Sequence, residues 1–303
     1  MQTIYALSTS QQLSVEEQER FLMSSLHDLY HLYLTLLSLL IEIKKTAEQQ
    51  LAISQRKYLA TREEKNPNRK FVENKVLKML SHNTLLAGEI KKRIDTNWDL
   101  HEEYIRIIYQ KIVESEPYKS YMSGPVTSFE NDKAFLITVF KECIAGNDKL
   151  YDYIEDHKLT WIDDFPLVNT AILKLLNKTR PGMSDRHFLI DLYKDKEDQV
   201  FSRALFRETI ARDEELENEI KGKTPNWDID RIANIDAILL KMAICEFLRF
   251  PTIPVKVTIN EYLEIAKEYS TPKSSIFING VLDKLVKEYN LKKKLNKTGR
   301  GLA

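Results

Sequence analysis

The stretch that decides the fold class is DRIANIDAILLKMAICEF, residues 230–247. Its apolar residues are spaced three and four positions apart, which places them on one face of an α-helix. They are Ile232, Ile235, Leu239, Met242 and Cys245. Pro251 and Pro254 follow, and they end the helix because proline cannot continue it. The sequence therefore predicts a helix from about Asp230 to Leu248 with a buried apolar face.

The composition extends this helical character to the whole chain. Its 303 residues include only eight glycines and nine prolines. Average usage predicts roughly 20 and roughly 15 at this length. So few turn-forming residues argue against β-sandwich, propeller and collagen-like folds, and against a glycine-rich phosphate loop. Because 43% of the residues are hydrophobic, the chain can bury a large core. We expect an all-α, multi-helix protein.

Capping signals predict where other helices start. Three S/T-x-x-E capping boxes are Ser14/Glu17, Thr127/Glu130 and Thr258/Glu261. Thr271 before Pro272 predicts a further start, with threonine as the N-cap. Residues 116–126, EPYKSYMSGPV, contain two prolines and a glycine and predict a central linker. Further helices are expected at 184–193 and, as one continuous helix, at 197–221.

The chain also shows a predicted domain boundary and a basic tail. The break Arg180-Pro181-Gly182 places the boundary so that an N-terminal helical region covers 1–183 and a C-terminal helical domain covers 184–291. The tail, 292–303, completes a segment from Lys284 onward that contains seven Lys/Arg and one Glu. Two interpretations of the tail stay open: a solvated, frayed terminus and a segment that contacts phosphates.

Charge and cysteine usage limit the classes of function. The 45 Lys and Arg residues balance the 45 Asp and Glu residues, so the net charge of the chain does not favour binding to nucleic acid. The two cysteines, Cys143 and Cys245, are far apart, which argues against a disulfide framework and favours the reducing cytoplasm. The apolar run 29–43 is short and interrupted by polar residues, so it predicts a buried helix rather than a membrane span.

Candidate catalytic and metal-binding residues are isolated. His27 and His31 have the spacing at which two imidazoles share a helix face, but no third ligand follows at a convincing distance. The adjacent acids Asp163 and Asp164 stand near a predicted helix start, where the helix dipole favours negative charge. Cys143 has no base beside it in the sequence. We therefore expect no catalytic residue, no metal and no cofactor, and predict that the protein is not an enzyme.

Phe277 is the aromatic residue best placed for nucleic-acid binding. It stands near Lys273, at the start of the last predicted helix. Recognition of single-stranded RNA uses aromatic rings that stack on bases next to basic side chains. Packing of the ring into the core is the alternative.

Two further blocks follow the helix quoted above, in which Ala243 and Glu246 form an A-x-x-E pattern. They are IPVKVTINEYLEIAK, residues 253–267, and SSIFINGVLDK, residues 274–284. In order and spacing, the three blocks resemble the C-terminal half of the NusB family of transcription antitermination factors. A weaker similarity extends back to VFSRALF, residues 200–206. Gly280 in the last block indicates close approach of another backbone, because glycine costs about 1 kcal/mol relative to alanine inside a helix.

The resemblance implies an all-α fold of two helical subdomains that acts through RNA and protein contacts. Family members bind boxA-type RNA together with NusE, a small-subunit ribosomal protein, within an elongating RNA polymerase complex. The resemblance therefore implies two sets of site residues. The RNA-binding residues are Gln2, Tyr5, Lys273, Ser274 and Phe277. The partner-binding residues are Asp236 and Glu261.

The chain departs from the family pattern in three ways. Residues 1–5 resemble only the end of the family's first helix, with Gln2 and Tyr5 matching, and the expected arginines before it are absent. Either the start codon was assigned too far downstream, or the protein binds RNA without that arm. The chain is also about twice the usual length, so residues 10–185 suggest an enlarged N-terminal subdomain. Lys273 stands where some relatives have an acid, which favours contact with phosphate.

Three hypotheses follow. The first is a cytoplasmic RNA-binding antitermination factor that acts with NusE on boxA-type RNA in ribosomal RNA transcription. The second is a NusB-like protein-interaction scaffold that has lost RNA binding, which the missing arginines and the zero net charge favour. The third is the RNA-binding appendage of a ribosomal RNA methyltransferase, for which the chain carries neither a glycine-rich cofactor loop nor a catalytic cysteine motif.

Overall fold

The computed structural model describes residues 1–10, 12–57, 61, 65–94, 98–125, 128–223 and 232–298. Within these ranges the regular structure is helical and there is no strand, which confirms the all-α fold. The α-helices are α1 (Gln2–Thr9), α2 (Val15–Arg56), α3 (Lys75–Ser81), α4 (Thr84–Arg93), α5 (Glu102–Glu114), α6 (Glu116–Ser123), α7 (Phe129–Val139), α8 (Asp148–His157), α9 (Trp161–Lys178), α10 (Lys196–Ala211), α11 (Asp213–Ile220), α12 (Asn234–Arg249), α13 (Val255–Tyr269) and α14 (Ser274–Leu291). Short 3-10 helices cover Trp98–His101 and Asp185–Phe188, and a π-helix covers Phe140–Ala145.

The chain forms two compact units. The middle unit is Ser25–Leu192, and the terminal unit combines Met1–Ser24 with Tyr193–Ala303. The predicted regions 1–183, 184–291 and 292–303 do not coincide with these units. The reason is that the first residues pack with the last helices: Ile4 is buried in the same core as Leu239 and Leu285.

The core of the middle unit includes the apolar centre of α2. Leu32, Leu36 and Leu40 are fully buried there, so the run 29–43 is a buried helix as predicted. By length and composition α2 could cross a membrane, but 61% of its most apolar stretch is buried inside the protein, which is typical of a core helix. The indole N–H groups of two tryptophans form hydrogen bonds to residues of α2. Trp98 donates to Ser38 Oγ at 2.8 Å, and Trp161 donates to the Asp28 carbonyl oxygen at 3.0 Å.

The predicted helix starts have different outcomes. The Ser14/Glu17 capping box is confirmed, because the Glu17 N–H donates to Ser14 Oγ and the Ser14 N–H donates to Glu17 Oε2, both at 3.2 Å. Thr127 lies outside the described residues, and α7 is capped by Ser128, whose Oγ accepts the Asn131 N–H at 3.1 Å.

Three predicted segments differ from the structure. The linker 116–126 is wrong over most of its length, because Ser115 caps a helix there and proline is compatible with a first helical turn. The helix 184–193 is wrong, since only the short 3-10 turn Asp185–Phe188 forms. The helix 197–221 is interrupted at Arg212, which separates α10 from α11.

The core of the terminal unit is organised around α12. This helix contacts α1, α10, α11, α13 and α14. Its predicted apolar face is confirmed: Leu239, Met242 and Cys245 are buried, and Ile232 and Ile235 are half-buried against the same core. The helix itself begins at Asn234. Residues 224–231, which include the predicted start at Asp230, lie outside the described part.

Candidate nucleic-acid interface

A buried polar cluster fixes the start of α14. Asp236, in the first turn of α12, is only 5% exposed. Its Oδ1 accepts from Ser270 Oγ at 2.6 Å, and its Oδ2 accepts from Ser274 Oγ at 2.7 Å. Each serine hydroxyl has one hydrogen, so Ser274 Oγ accepts from Thr271 Oγ1, 2.9 Å away. The cluster thus ties both sides of the turn 270–273 to α12.

This cluster positions two predicted RNA-binding residues. Lys273 immediately precedes α14 and is exposed. Phe277 follows four residues later on the same side of the helix, half-buried against the core of the terminal unit. The structure therefore places a cation beside a partly exposed aromatic ring.

The first turn of α12 also contacts α1. Asn234 Nδ2 donates to Ser8 Oγ at 3.3 Å. The predicted residues on α1 face outward, with Gln2 exposed and the Tyr5 side chain 39% exposed. The first turn of α12 is therefore bonded both to the C-terminal end of α1 and to the start of α14.

The sequence identifies some of these residues but predicts different roles for others. It predicts that Asp236 contacts a partner and that Ser274 contacts RNA, whereas the structure joins the two side chains and buries both. Ser270 was missed, although the dense S-T-P-x-S pattern at 270–274 is a signal for a side-chain-bonded turn. Thr271 is not the N-cap of α14, because that position belongs to Lys273 and the threonine hydroxyl bonds Ser274 instead.

A second buried cluster corrects the Thr258/Glu261 capping box. Helix α13 begins at Val255, so Thr258 lies inside it. The Thr258 hydroxyl donates to Glu246 Oε1 at 2.6 Å, and the Tyr262 hydroxyl donates to Glu246 Oε2 at 3.2 Å. Burial raises the pKa of the Glu246 carboxyl above its usual value, while the two hydroxyls act in the opposite direction.

Glu261, the other predicted partner-binding residue, is exposed. It lines a groove of about 920 Å³ in the terminal unit, which we call the Glu261 groove. The wall of the groove is mostly apolar and includes Val200, which is 60% exposed, and Val257, which is 46% exposed. An apolar surface of this kind is typical of contact with another macromolecule.

The described part of the basic tail contacts the protein. Lys297 Nζ donates to the carbonyl oxygens of Glu246 at 3.0 Å and Phe250 at 2.9 Å, at the end of α12. The Thr298 N–H donates to the Pro251 carbonyl at 2.9 Å. Lys294 pairs with Glu219 at 2.7 Å. The frayed-terminus interpretation therefore does not hold for Lys294, Lys297 and Thr298, whereas Lys292 and Lys293 are exposed. Arg300 lies outside the described residues.

Gly280 does not meet another protein backbone. A Cβ built on it would have no atom within 4 Å, so the expected close approach is wrong for the described residues of the chain. The glycine is exposed in the middle of α14.

The metal and nucleophile candidates have structural surroundings. Asp28 is buried and lies 3.3 Å from His31 Nδ1 and 2.6 Å from Lys158 Nζ. Over the described ranges, no three histidine, cysteine or acidic side chains converge in a way that suits a metal ion. Cys143 and Cys245 are buried, and burial raises the pKa of both thiols, that of Cys245 to about 11. Both thiols are therefore protonated at neutral pH.

Comparison with known proteins agrees with this helical architecture. The profile of the NusB family matches residues 170–287. The transcription antitermination protein NusB of Salinibacter ruber is 46% identical over 113 residues, which cover 37% of this chain and 71% of that protein. Its namesake in Koribacter versatilis is 42% identical over 103 residues, 33% of this chain and 70% of that protein. The NusB of Chloroherpeton thalassium is 40% identical over 112 residues, which cover 37% of this chain and 53% of that protein. No solved structure matches the chain.

Fold and sequence matches define the class as all-α transcription antitermination factors. The chain belongs to the NusB family. The matched residues lie in its C-terminal part, and the chain is longer than these relatives, consistent with an enlarged N-terminal region.

Proposed function

We propose that this protein is a cytoplasmic, non-catalytic antitermination factor that binds boxA-type RNA together with NusE during ribosomal RNA transcription. It would act within the elongating RNA polymerase complex. The observation that carries the proposal is the exposed Lys273 beside Phe277 at the start of α14. Both residues lie in the segment that matches the NusB family.

The chemistry of this pair suits single-stranded RNA. Lys273 has no ion-pair partner among the described residues, so its ammonium group is available to a phosphate. The exposed part of the Phe277 ring offers a surface on which a base can stack. Gln2 and Tyr5 on α1 add polar and aromatic groups to the same proposed site.

Asp236 and Ser274 support the RNA site from beneath. Their side chains are buried and bonded to each other, so they position Lys273 and Phe277 rather than touch RNA. Glu261 is exposed and is the better candidate for contact with NusE, next to the apolar Glu261 groove.

A neutral chain makes few phosphate contacts by itself. We therefore expect weak RNA binding alone and tighter binding with NusE, which supplies further basic surface. Positive coupling between the two ligands of about 1–3 kcal/mol would be reciprocal, because it is a property of the ternary equilibrium.

Fluorescence anisotropy of a labelled boxA RNA, with and without NusE, tests the proposal. Lys273→Glu should weaken binding more at low salt than at high salt, because salt screens the charge. Phe277→Ala should weaken binding at every salt concentration. Lys256→Glu, at an exposed lysine on α13, is the matched control and should have little effect. Glu261→Lys should reduce the gain from NusE while leaving RNA binding by the chain alone unchanged.

The alternative is a protein-interaction scaffold that does not bind RNA. The internal contacts of Lys294 and Lys297 favour it, since these lysines are used within the protein. No binding of the labelled RNA by the wild-type protein, with or without NusE, would establish the scaffold. RNA binding that neither the Lys273 nor the Phe277 variant weakens would instead place the RNA site on another part of the protein.

A further inference from the structure

One face of α14 carries a row of residues beyond the proposed RNA site. Lys273, Phe277, Gly280, Lys284 and Lys287 are spaced by four, three, four and three residues. This spacing keeps them on one face of a helix. Phe277 is half-buried and the other four are exposed. We call this row the α14 stripe.

The lysines of the α14 stripe keep their positive charge uncompensated. Lys273, Lys284 and Lys287 have no ion-pair partner within the described ranges of the chain, and Lys284 Nζ only donates to the Lys223 carbonyl at 3.2 Å. The acids of the same helix are engaged elsewhere. Glu288 pairs with Lys223 and Lys292, and Asp283 accepts from Asn279 Nδ2 at 3.3 Å.

Gly280 is a separate observation that points to a ligand. Glycine is less favourable than alanine inside a helix, and no protein group packs against Gly280 in the described structure. The glycine therefore has no explanation in the packing of the terminal unit. Its effect is to lower the surface at the centre of the stripe, between Phe277 and Lys284, so that a ligand can approach the helix backbone.

We propose that the α14 stripe binds the backbone of single-stranded RNA that continues beyond the segment held at Lys273 and Phe277. The inference rests on the function proposed above. At 1.5 Å per residue, the stripe from Lys273 to Lys287 is about 21 Å long. Its three ammonium groups contact successive parts of the phosphate backbone, and Gly280 lets a sugar or base lie close to the helix. Charge complementarity selects a polyanion as the occupant of this face.

Salt titrations with two labelled RNAs test the inference. One RNA contains boxA alone, and the second carries six additional nucleotides, placed at the 5′ end in one version and at the 3′ end in another. Each phosphate contact on single-stranded RNA contributes about 0.7 to the slope of log affinity against log salt concentration. The double variant Lys284→Ala/Lys287→Ala should lower the slope by about 1.4 for one extended RNA and leave the short RNA unchanged.

Two single variants separate binding from folding. Lys287→Ala removes a side chain without a described polar contact and should lower the slope by about 0.7. The leucine side chain of the Gly280→Leu variant has room at this position, and leucine is more favourable than glycine in a helix. The variant should therefore have a higher melting temperature but bind the extended RNA more weakly. Lys256→Ala, the exposed control on α13, should change neither slope.

The outcomes distinguish this inference from the proposed function. Equal salt slopes for the short and the extended RNA would overturn the inference about the α14 stripe. The proposed function would still stand if Lys273→Glu weakened the binding of both RNAs. Equally weakened binding of both RNAs by the double variant would also overturn the inference about the α14 stripe, because the lysines would then belong to the boxA site. No binding of either RNA, with or without NusE, would overturn the proposed function itself.

Discussion

The Thr258 hydroxyl lies 2.6 Å from Glu246 Oε1, deep in the terminal unit. Glu246 belongs to α12 and Thr258 to α13, so the bond joins two helices on either side of the proline-containing turn 251–254. The Tyr262 hydroxyl completes the arrangement at Glu246 Oε2. A carboxyl group that is 5% exposed is thereby supplied with two donors, which is what burial of an acid requires.

Thr258→Val should destabilise the protein by about 1–3 kcal/mol, because it removes a donor from a buried carboxyl group while keeping the side-chain shape. Urea unfolding followed by circular dichroism measures the change. Thr252→Val, at an exposed threonine of the neighbouring turn, is the control and should stay within about 0.5 kcal/mol of wild type. Equal stability of the two variants would contradict the role assigned to this bond.

Asp164 in the middle unit should make stability fall as pH rises. Burial, followed by the charges of Asp163 and Asp28, raises its pKa from 3.8 to about 6. Below pH 3.8 Asp164 is protonated in both the folded and the unfolded protein, whereas above pH 6 the folded protein carries an unfavourable charge. Asp164→Asn should therefore gain about 1–3 kcal/mol relative to wild type between pH 4 and pH 7.5. Urea unfolding at the two pH values measures the gain, and the exposed Asp156→Asn variant should show none. A pH-independent difference for Asp164→Asn would refute the prediction.

Lys297→Met should destabilise the terminal unit without changing RNA affinity. The Lys297 ammonium group caps carbonyl oxygens at the end of α12, where a positive charge interacts favourably with the helix dipole. A loss of about 1 kcal/mol is expected in thermal unfolding. Lys293→Met, a neighbouring exposed lysine, is the control. An RNA salt slope lowered by Lys297→Met would instead identify this lysine as a phosphate contact.

Ser274→Ala should affect both stability and RNA binding, because it removes a donor from the buried Asp236 carboxylate. We expect a loss of about 1–3 kcal/mol in unfolding free energy. We also expect weaker RNA binding, since the turn that presents Lys273 is no longer fixed. Ser274→Thr restores the hydroxyl and should recover both properties. RNA binding that Ser274→Thr fails to recover while stability returns would show that the serine contacts RNA directly.

The sequence predicts the helices best where a regular apolar pattern coincides with burial. The face of α12 follows from spacings of three and four, and the apolar run 29–43 is buried within α2 as expected. The failures involve residues with two competing uses. Proline in α6 is compatible with a first turn but resembles a breaker in the sequence, and Thr258 has the spacing of a cap but serves a distant acid.

The candidate site could be predicted only at the level of which residues matter. The NusB-like blocks identify Asp236, Ser274 and Phe277, but they do not reveal that the first two bond each other across 38 residues of chain. Such a contact depends on how α12 and α14 pack, which local pattern does not encode. The lysines of the tail illustrate the same limit, because Lys297 resembles a solvated charge until its acceptors on α12 are known.

The division of the terminal unit between the two ends of the chain determines its order of assembly during translation. Ile4 is synthesised before the middle unit, but the helices that cover it, α12 and α14, are synthesised after that unit. The middle unit, Ser25–Leu192, is contiguous and can fold as soon as it emerges, as N-terminal domains generally do. The apolar side of α1 therefore stays unburied by these helices until the middle unit, α12 and α14 have all been made. The RNA site proposed on α1 and α14 can form only after the middle unit has been synthesised.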